Sequence, residues 1–322
     1  MIDPDVRARN AAIIEQMKNP SMNKEAAEGV SDYLRIRARE DGFARRIQPP
    51  IPVTPADLDR QVDTVKPVIV RDMEPNSAGA YSVPFGATPM NTYMDAPRYR
   101  IMFERLESFR YIADVANLLT YDLDIRQIFN DLMLKDILGE EDRKYIAVAD
   151  FIVGGLNDLD PITNPRVAEV GSAGFVTVGT MSRSALSYAM EGLPSTNRHL
   201  NPSVALLNNI TIWRVVGVLT RNEAGGDFSQ DLLLNGFAER EMLGLKWMIT
   251  IKTNLVATND VYYYAAPKFL GDFYTMEDVT VSVKHENYMF EMFAYEMLGA
   301  TIKNTGSVAK ARFSGTLEPW TP

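Results

Sequence analysis

Only two histidines, His199 and His285, occur in the 322 residues, so any serine hydrolase or zinc centre would have to be built around them. Ser184, Ser187 and Ser195 precede His199 in the chain. None lies in the Gly-x-Ser-x-Gly turn that exposes a nucleophile, and a Ser-His-Asp set can be composed only on paper. His199 falls in the polar stretch "PSTNRHLNPS" and His285 follows "VTVSVK" where a tight turn is expected; both read as solvent-exposed loop histidines. The carboxylate pairs Asp158/Asp160, Glu140/Glu141 and Glu239/Glu241 have neither histidine at metal-ligand spacing nor the pattern of a calcium loop. They read as solvated faces. "NEAGGDF" (222–228) has a glycine pair ahead of an expected helix, where free N–H groups can seat an anion. It lacks the Lys-Ser/Thr of a phosphate loop and the third glycine of a dinucleotide fingerprint, so a helix cap at Asp227 is the simpler reading. No catalytic residue, cofactor-binding residue, cofactor or metal ligand is therefore assigned. The chain does not read as an enzyme.

Composition narrows the classes further. No cysteine is present, which removes disulfides, thiolate zinc sites and cysteine nucleophiles and suits folding in a reducing cytoplasm. The start "MIDPDVRARN" places acids where a signal peptide needs basic residues, and no apolar run approaches the roughly 18 residues of a membrane span. A soluble protein that is not exported is expected, with no membrane partner. The net charge is −9. Residues 1–60 hold ten Lys/Arg against ten Asp/Glu, and the remainder 23 against 32, so the body is acidic. That argues against broad nucleic-acid binding, which needs cations to displace counterions from phosphates. The exception is "LRIRAREDGFARR", where Arg35, Arg37, Arg39, Arg45 and Arg46 cluster. It reads either as a solvated helix face or as a contact with acidic partner surfaces or enclosed nucleic acid.

Stepping outward to the elements, residues 4–18 and 22–40 have the apolar stripes of amphipathic helices. "IQPPIPVTPADLD" then places four prolines in nine residues, which neither a helix nor a central strand tolerates, so it reads as an extended tether. "KPVIVRD" and "RYRIMFERL" are strand-like. Between them lies a stretch rich in Pro, Gly, Ser and Asn. As one hairpin, each arm of about 17 residues at roughly 3.3 Å per residue would reach about 55 Å, comparable to the whole diameter of a compact chain. A lone two-stranded ribbon is marginal in water and is expected to lie on something else, most simply a neighbouring subunit; the alternative is a surface loop folded back on its own domain. Residues 121–153 give one long or once-broken helix ending at Gly154-Gly155. Residues 156–260 mix short strands ("GFVTVGTM", "WMITIKT") with helical pieces ("SRSALSYAM", "DFSQDLLLNGFAEREML"). "VTVSV" alternates as a strand, while "ENYMFEMFAYEMLGATI" suits either a helix or a buried strand. The fold class is α+β.

In that order, and with "LKWMITIKTNLVATNDVYYYAAPKFLGDFYTMEDVTVSVKHENYMFEMFAYEMLGATIKNTGSVAKARF" as the densest local match, the chain resembles the major capsid proteins of tailed bacteriophages, the Hong Kong 97-type fold. Encapsulin shells share that fold. The resemblance spans about residues 60–315 and rests on the order of elements and loose motifs. It implies an N-terminal arm and tether (1–60) and an extended loop (61–105). It further implies a peripheral domain with a long spine helix (106–155 and 272–322) and a mixed α/β axial domain (156–271). Gly271-Asp272-Phe273 would be the step between domains, and 286–302 a strand.

The function implied is a coat protein that self-assembles as hexamers and pentamers into an icosahedral head enclosing double-stranded DNA. Its expected partners are itself, scaffold and portal proteins, decoration proteins and packaged DNA at the inner surface without sequence specificity; it would be made in the host bacterial cytoplasm and end in the virion. Arg35, Arg37, Arg45, Arg46, Tyr81, Phe85, Tyr93 and Asn287 are the candidate inter-subunit contacts. Some family members lock the shell with a Lys-Asn isopeptide bond from the extended loop; residues 67–100 contain no Lys, so no such bond is expected. Two other readings stay open: an encapsulin-type nanocompartment, whose members typically lack an arm like 1–60, and a soluble α+β enzyme.

Overall fold

The computed structural model describes residues 42–59, 66–73, 80–88, 90–91, 93, 98–116, 125–155, 158–218, 240–286 and 288–314, with isolated positions 8, 11, 12 and 15. The two expected N-terminal helices and the cap at Asp227 lie outside the described residues.

Two sheets share one helix. The larger sheet has six strands in the order β6 (Phe175–Val178), β13 (Val308–Phe313), β10 (Asp260–Ala265), β7 (Pro202–Asn208), β9 (Leu245–Thr250) and β8 (Arg240–Met242). Its central strands β10, β7 and β9 carry long apolar runs, Val261–Ala265, Val204–Leu207 and Trp247–Ile249, because both faces are covered. Val204, Leu206, Met248, Tyr262 and Tyr264 face one side, towards the long helix α2 (Ile125–Val153). Ala205, Leu207, Trp247, Val261 and Tyr263 face the other, where α4 (Arg183–Met190) contributes Ala185, Leu186 and Ala189 and α5 (Asn209–Val218) contributes Ile212 and Val215. The last strand, β13, sits between β6 and β10, so the chain's end returns to this sheet. Residues 308–313, expected in the peripheral domain with the rest of 272–322, thus join the larger sheet; nothing in "SVAKARF" specifies which sheet it will enter.

The smaller sheet pairs β1 (Ile51–Pro52), β11 (Asp272–Glu286), β12 (Met289–Thr301) and β4 (Glu104–Glu107), with β5 (Tyr111–Asp114) also on β12. The ambiguous run 286–302 is thus a strand from 289 to 301. Phe290, Met292, Ala294 and Leu298 recur with period two and bury their side chains on α2 against Met133, Leu134, Ile137 and Leu138. At roughly 1.5 Å per residue, the unbroken α2 runs about 43 Å. That length carries it from this sheet to the other, where Tyr145, Ile146, Ala149, Ile152 and Val153 join the second core. Gly154 ends it at φ 72°, its N–H returning to Asp150 O. Such a left-handed position suits a residue without Cβ.

At the step between the sheets, a Cβ on Gly271 would lie 2.2 Å from Thr301 O, so only glycine lets the chain pass β12 there. The third sheet is the hairpin β2 (Val68–Asp72) and β3 (Arg98–Met102). Residues 240–242, expected as the end of a helix, are instead β8. Leu243 (φ 54°) and Gly244 (φ 73°) make a two-residue turn into β9, and both positive φ values fit the hairpin turn that matches strand twist.

Candidate functional site

The residues that sequence reading considered for chemistry serve local structure. Ser195 donates to Gly192 O, Ser184 pairs with Ser182, and the exposed His199 ring lies 3.2 Å from Pro194 O. Asp158 and Asp160 accept hydrogen bonds within their own turn. His285 is not in an exposed loop as expected. It lies within β11, half-buried against the Phe290 ring with centroids 4.8 Å apart. Among the described residues no group of three or more His, Asp or Glu could hold a metal ion, and no helix is long and apolar enough to cross a membrane. A cavity of about 390 Å³ between α2, β3 and β12 is lined largely by apolar groups such as Ile101, Val148, Phe273 and Leu298.

Two other features stand out because residue type and environment are inverted. The first is the ribbon. Its root is fixed: Ile69, Ile101 and Phe103 pack with Val53 and Tyr274, Arg71 donates to the Tyr274 hydroxyl at 3.3 Å, and the Tyr99 hydroxyl donates to Asp272. Beyond Asp72 and Arg98, which pair at 2.9 Å, Tyr81, Phe85, Met90 and Tyr93 are all exposed, Phe85 and Tyr93 almost completely. The Tyr81 hydroxyl donates to Met90 O and accepts from Met90 N–H, tying the two limbs together. Tyr81, Phe85 and Tyr93 are therefore presented to solvent. A second apolar group lies at the far end of the smaller sheet. Phe109, Ile112, Tyr288 and Met289 are exposed there, brought together by the β5–β12 register and by Val115 N–H donating to Tyr288 O.

The second inverted feature is Arg45, whose side chain has no exposed surface. It sits in α1 (Phe43–Ile47), beside Phe43, Ala44 and Ile47, which pack on α2. Its Nε donates to Glu141 at 3.0 Å, Nη1 to Asp278 at 3.0 Å and Nη2 to Glu296 at 2.6 Å. Next to it Asp142 accepts from Ala44 N–H at 3.0 Å and from Lys252 at 2.5 Å.

Each carboxylate has a structural reason to be there. Glu141 and Asp142 fall where α2 passes from one core to the other. Glu296 occupies the inward-facing series of β12 between Ala294 and Leu298. Asp278 is in a bulge, since Asp278 and Val279 together oppose the single Glu296 between the Glu277–Met297 and Thr280–Tyr295 pairs. Such bulges re-aim a side chain. Burial and neighbouring charges set the protonation. Burial pushes Glu141 up to about 7 against the pull of Arg45. Burial, with Glu141 adding to it, holds Glu296 well above its ordinary range, and burial raises Asp142. Burial works against the charged guanidinium, yet Glu141, Glu296 and Asp278 keep Arg45 above its usual value.

Arg45 is thus an internal clamp and not the exposed contact that the arginine-rich run suggested. Glu141 likewise is buried and not on a solvated face. Arg46 is partly buried, and Arg35, Arg37 and Asn287 lie outside the described residues. The clamp went unseen because its partners are 96, 233 and 251 positions away. A signal existed in the glutamate that interrupts the apolar even-numbered series of "FEMFAYEML".

No family model matches the sequence, and no curated protein does. Solved structures match over most of the chain. The capsid of a native GTA particle superposes with a TM-score of 0.57 at 14% identity, covering 84% of this chain and 89% of that one. A structure from Microbacterium phage Oxtober96 gives 0.54 at 12%, covering 86% and 91%. The mature capsid of bacteriophage PhiM1 gives 0.54 at 9%, covering 87% and 88%. At such identities the likeness is one of fold, and the fold is that of the tailed-phage capsid proteins, the Hong Kong 97 type.

Proposed function

We propose that this chain is a major capsid protein whose copies associate as hexamers and pentamers into an icosahedral phage head around double-stranded DNA. The observation that supports it is the ribbon. On a capsid-type fold, a firmly rooted hairpin holds Phe85, Met90 and Tyr93 in water, and exposed apolar groups of this kind are contact surfaces waiting for an occupant. The occupant is a neighbouring copy, with the Phe109/Ile112/Tyr288/Met289 group as a second such contact. Many modest interfaces closing on one shell gain strength through multivalency. On this reading the partners beyond the chain itself are scaffold, portal and decoration proteins, and DNA met at the inner surface without base readout. Arg35, Arg37 and Arg46 belong to the N-terminal contact region, and Asn287 is a further contact with a neighbour. The protein is not an enzyme, is synthesised in the host cytoplasm and resides in the virion. Its shell is held without covalent cross-links, since residues 67–100 offer no Lys.

Negative-stain microscopy and sedimentation of the purified full chain test the reading. Shells, tubes or capsomer rings are expected, giving a single band after boiling in detergent. A Phe85→Ser/Tyr93→Ser variant should give folded subunits without particles. A wild-type chain that stays a compact monomer or dimer at high concentration would overturn the proposal, and a ladder of multimers would overturn its non-covalent part.

A further inference from the structure

We infer that the ionic group at the seam between the two cores is a proton-operated latch on the root of the N-terminal segment. The latch stands on geometry within one chain and does not depend on shell formation. Helix α1 carries Arg45 into a closed space bounded by three other elements. From α2 come Glu141 and Asp142, from β11 Asp278, and from β12 Glu296; Lys252, after β9, reaches Asp142 and Leu138 O. Those are the charged groups that face one another there. Two cations meet four carboxylates, leaving a surplus of two negative charges if all are ionised.

The arrangement is also one hydrogen bond short. Glu296 is fully buried, Oε2 accepts from Arg45, and Oε1 has no partner. An unpaired ionised oxygen inside a protein is expensive, and adding a proton removes the charge and turns the group into a donor. Protonation therefore relieves like-charge repulsion among Glu141, Asp278 and Glu296 while leaving the Arg45 contacts to the other carboxylates intact.

The direction with pH follows. A carboxyl whose folded value is raised keeps its proton where the unfolded chain has released it. Its stabilising contribution is complete below the ordinary carboxylate range and is lost as pH rises through the folded value. For Glu141 that loss falls between about 4.5 and about 7, and Glu296 adds in the same direction. The element released is α1, because Arg45 and the backbone N–H groups of Phe43 and Ala44 tie it to carboxylates of this group. The tether after Gln48 is then freed at its root.

Hydrogen exchange of the full chain at pH 5.5 and 8.5, corrected for intrinsic rates, tests the latch. Amides 44–48 should open at least tenfold more readily at pH 8.5, while Val261–Tyr264 at the centre of the larger sheet remain unchanged. The double variant Glu141→Gln/Glu296→Gln, which fixes the neutral form of both, should reduce the difference to less than twofold. No pH difference in the wild type, or a tenfold difference retained in Glu141→Gln/Glu296→Gln, would overturn the proposal. Should that variant fail to fold, infrared difference spectra of the wild type decide. A protonated carboxyl C=O band present at pH 5.5 and absent at 8.5 supports the latch, and a band absent at both or present at both overturns it.

Discussion

Arg45 and Phe85 occupy each other's expected places. The guanidinium is sealed between a helix and a sheet, and the phenyl ring stands in water at the end of a ribbon. Both inversions are unfavourable in isolation, yet they are resolved differently. Arg45 has its compensation inside the chain, in three carboxylates brought from two strands and a helix, so its cost is already offset when the subunit folds. Phe85 and Tyr93 have none within the described residues, and burying each against another surface would gain about 2 kcal/mol. The first marks a joint within the molecule. The second marks, on the proposed reading, a place where one copy meets another.

Substitutions at three points should separate the two cases. The largest effect belongs to Arg45→Met, which strands buried carboxylates and should lower unfolding free energy by about 3–5 kcal/mol in urea titrations of the unassembled subunit. A loss below about 1 kcal/mol would mean the seam is hydrated and the clamp unimportant. An intermediate effect is expected at the ribbon's root, where Tyr99→Phe removes the hydroxyl that donates to Asp272 and should cost about 1 kcal/mol. The smallest is Phe85→Ser, which should change subunit stability by less than about 0.5 kcal/mol, as for a surface site, while abolishing particle formation. A Phe85→Ser subunit destabilised as much as Arg45→Met would show that the ribbon folds back on its own body, and the contrast would disappear.

Much of the architecture was legible locally. The stripe in 121–153 pointed to a helix, described over 125–153, and "GFVTVGTM" and "WMITIKT" to short strands, found at 175–178 and 245–250, because each pattern is written in neighbouring residues. The stretch 286–302 was undecidable from composition. Met, Glu and Leu favour a helix, and the strand wins only because its inward series finds α2 on one side while β11 and β4 supply backbone partners. Residues 240–242 went the other way, since the Leu243–Gly244 turn outweighs the helix-forming run before it.

The contact candidates divide along the same line. Tyr81, Phe85 and Tyr93 are exposed, because apolar residues in a Pro/Gly/Asn-rich segment have no local core to join. Arg45 was misjudged because five arginines in one run look solvated.

Local patterns in the sequence were enough to specify an α+β chain without cysteine, with a long helical stripe, a proline-rich tether and apolar residues in a segment with no local core to hold them. Those are consequences of composition and of patterns a few residues long. Folding in three dimensions settled that α2 is shared by two cores, that β13 enters the larger sheet between β6 and β10, and that Arg45 belongs to the interior. A buried charge is tolerable solely where distant carboxylates converge on it, and convergence across more than two hundred positions is a property of the folded chain alone.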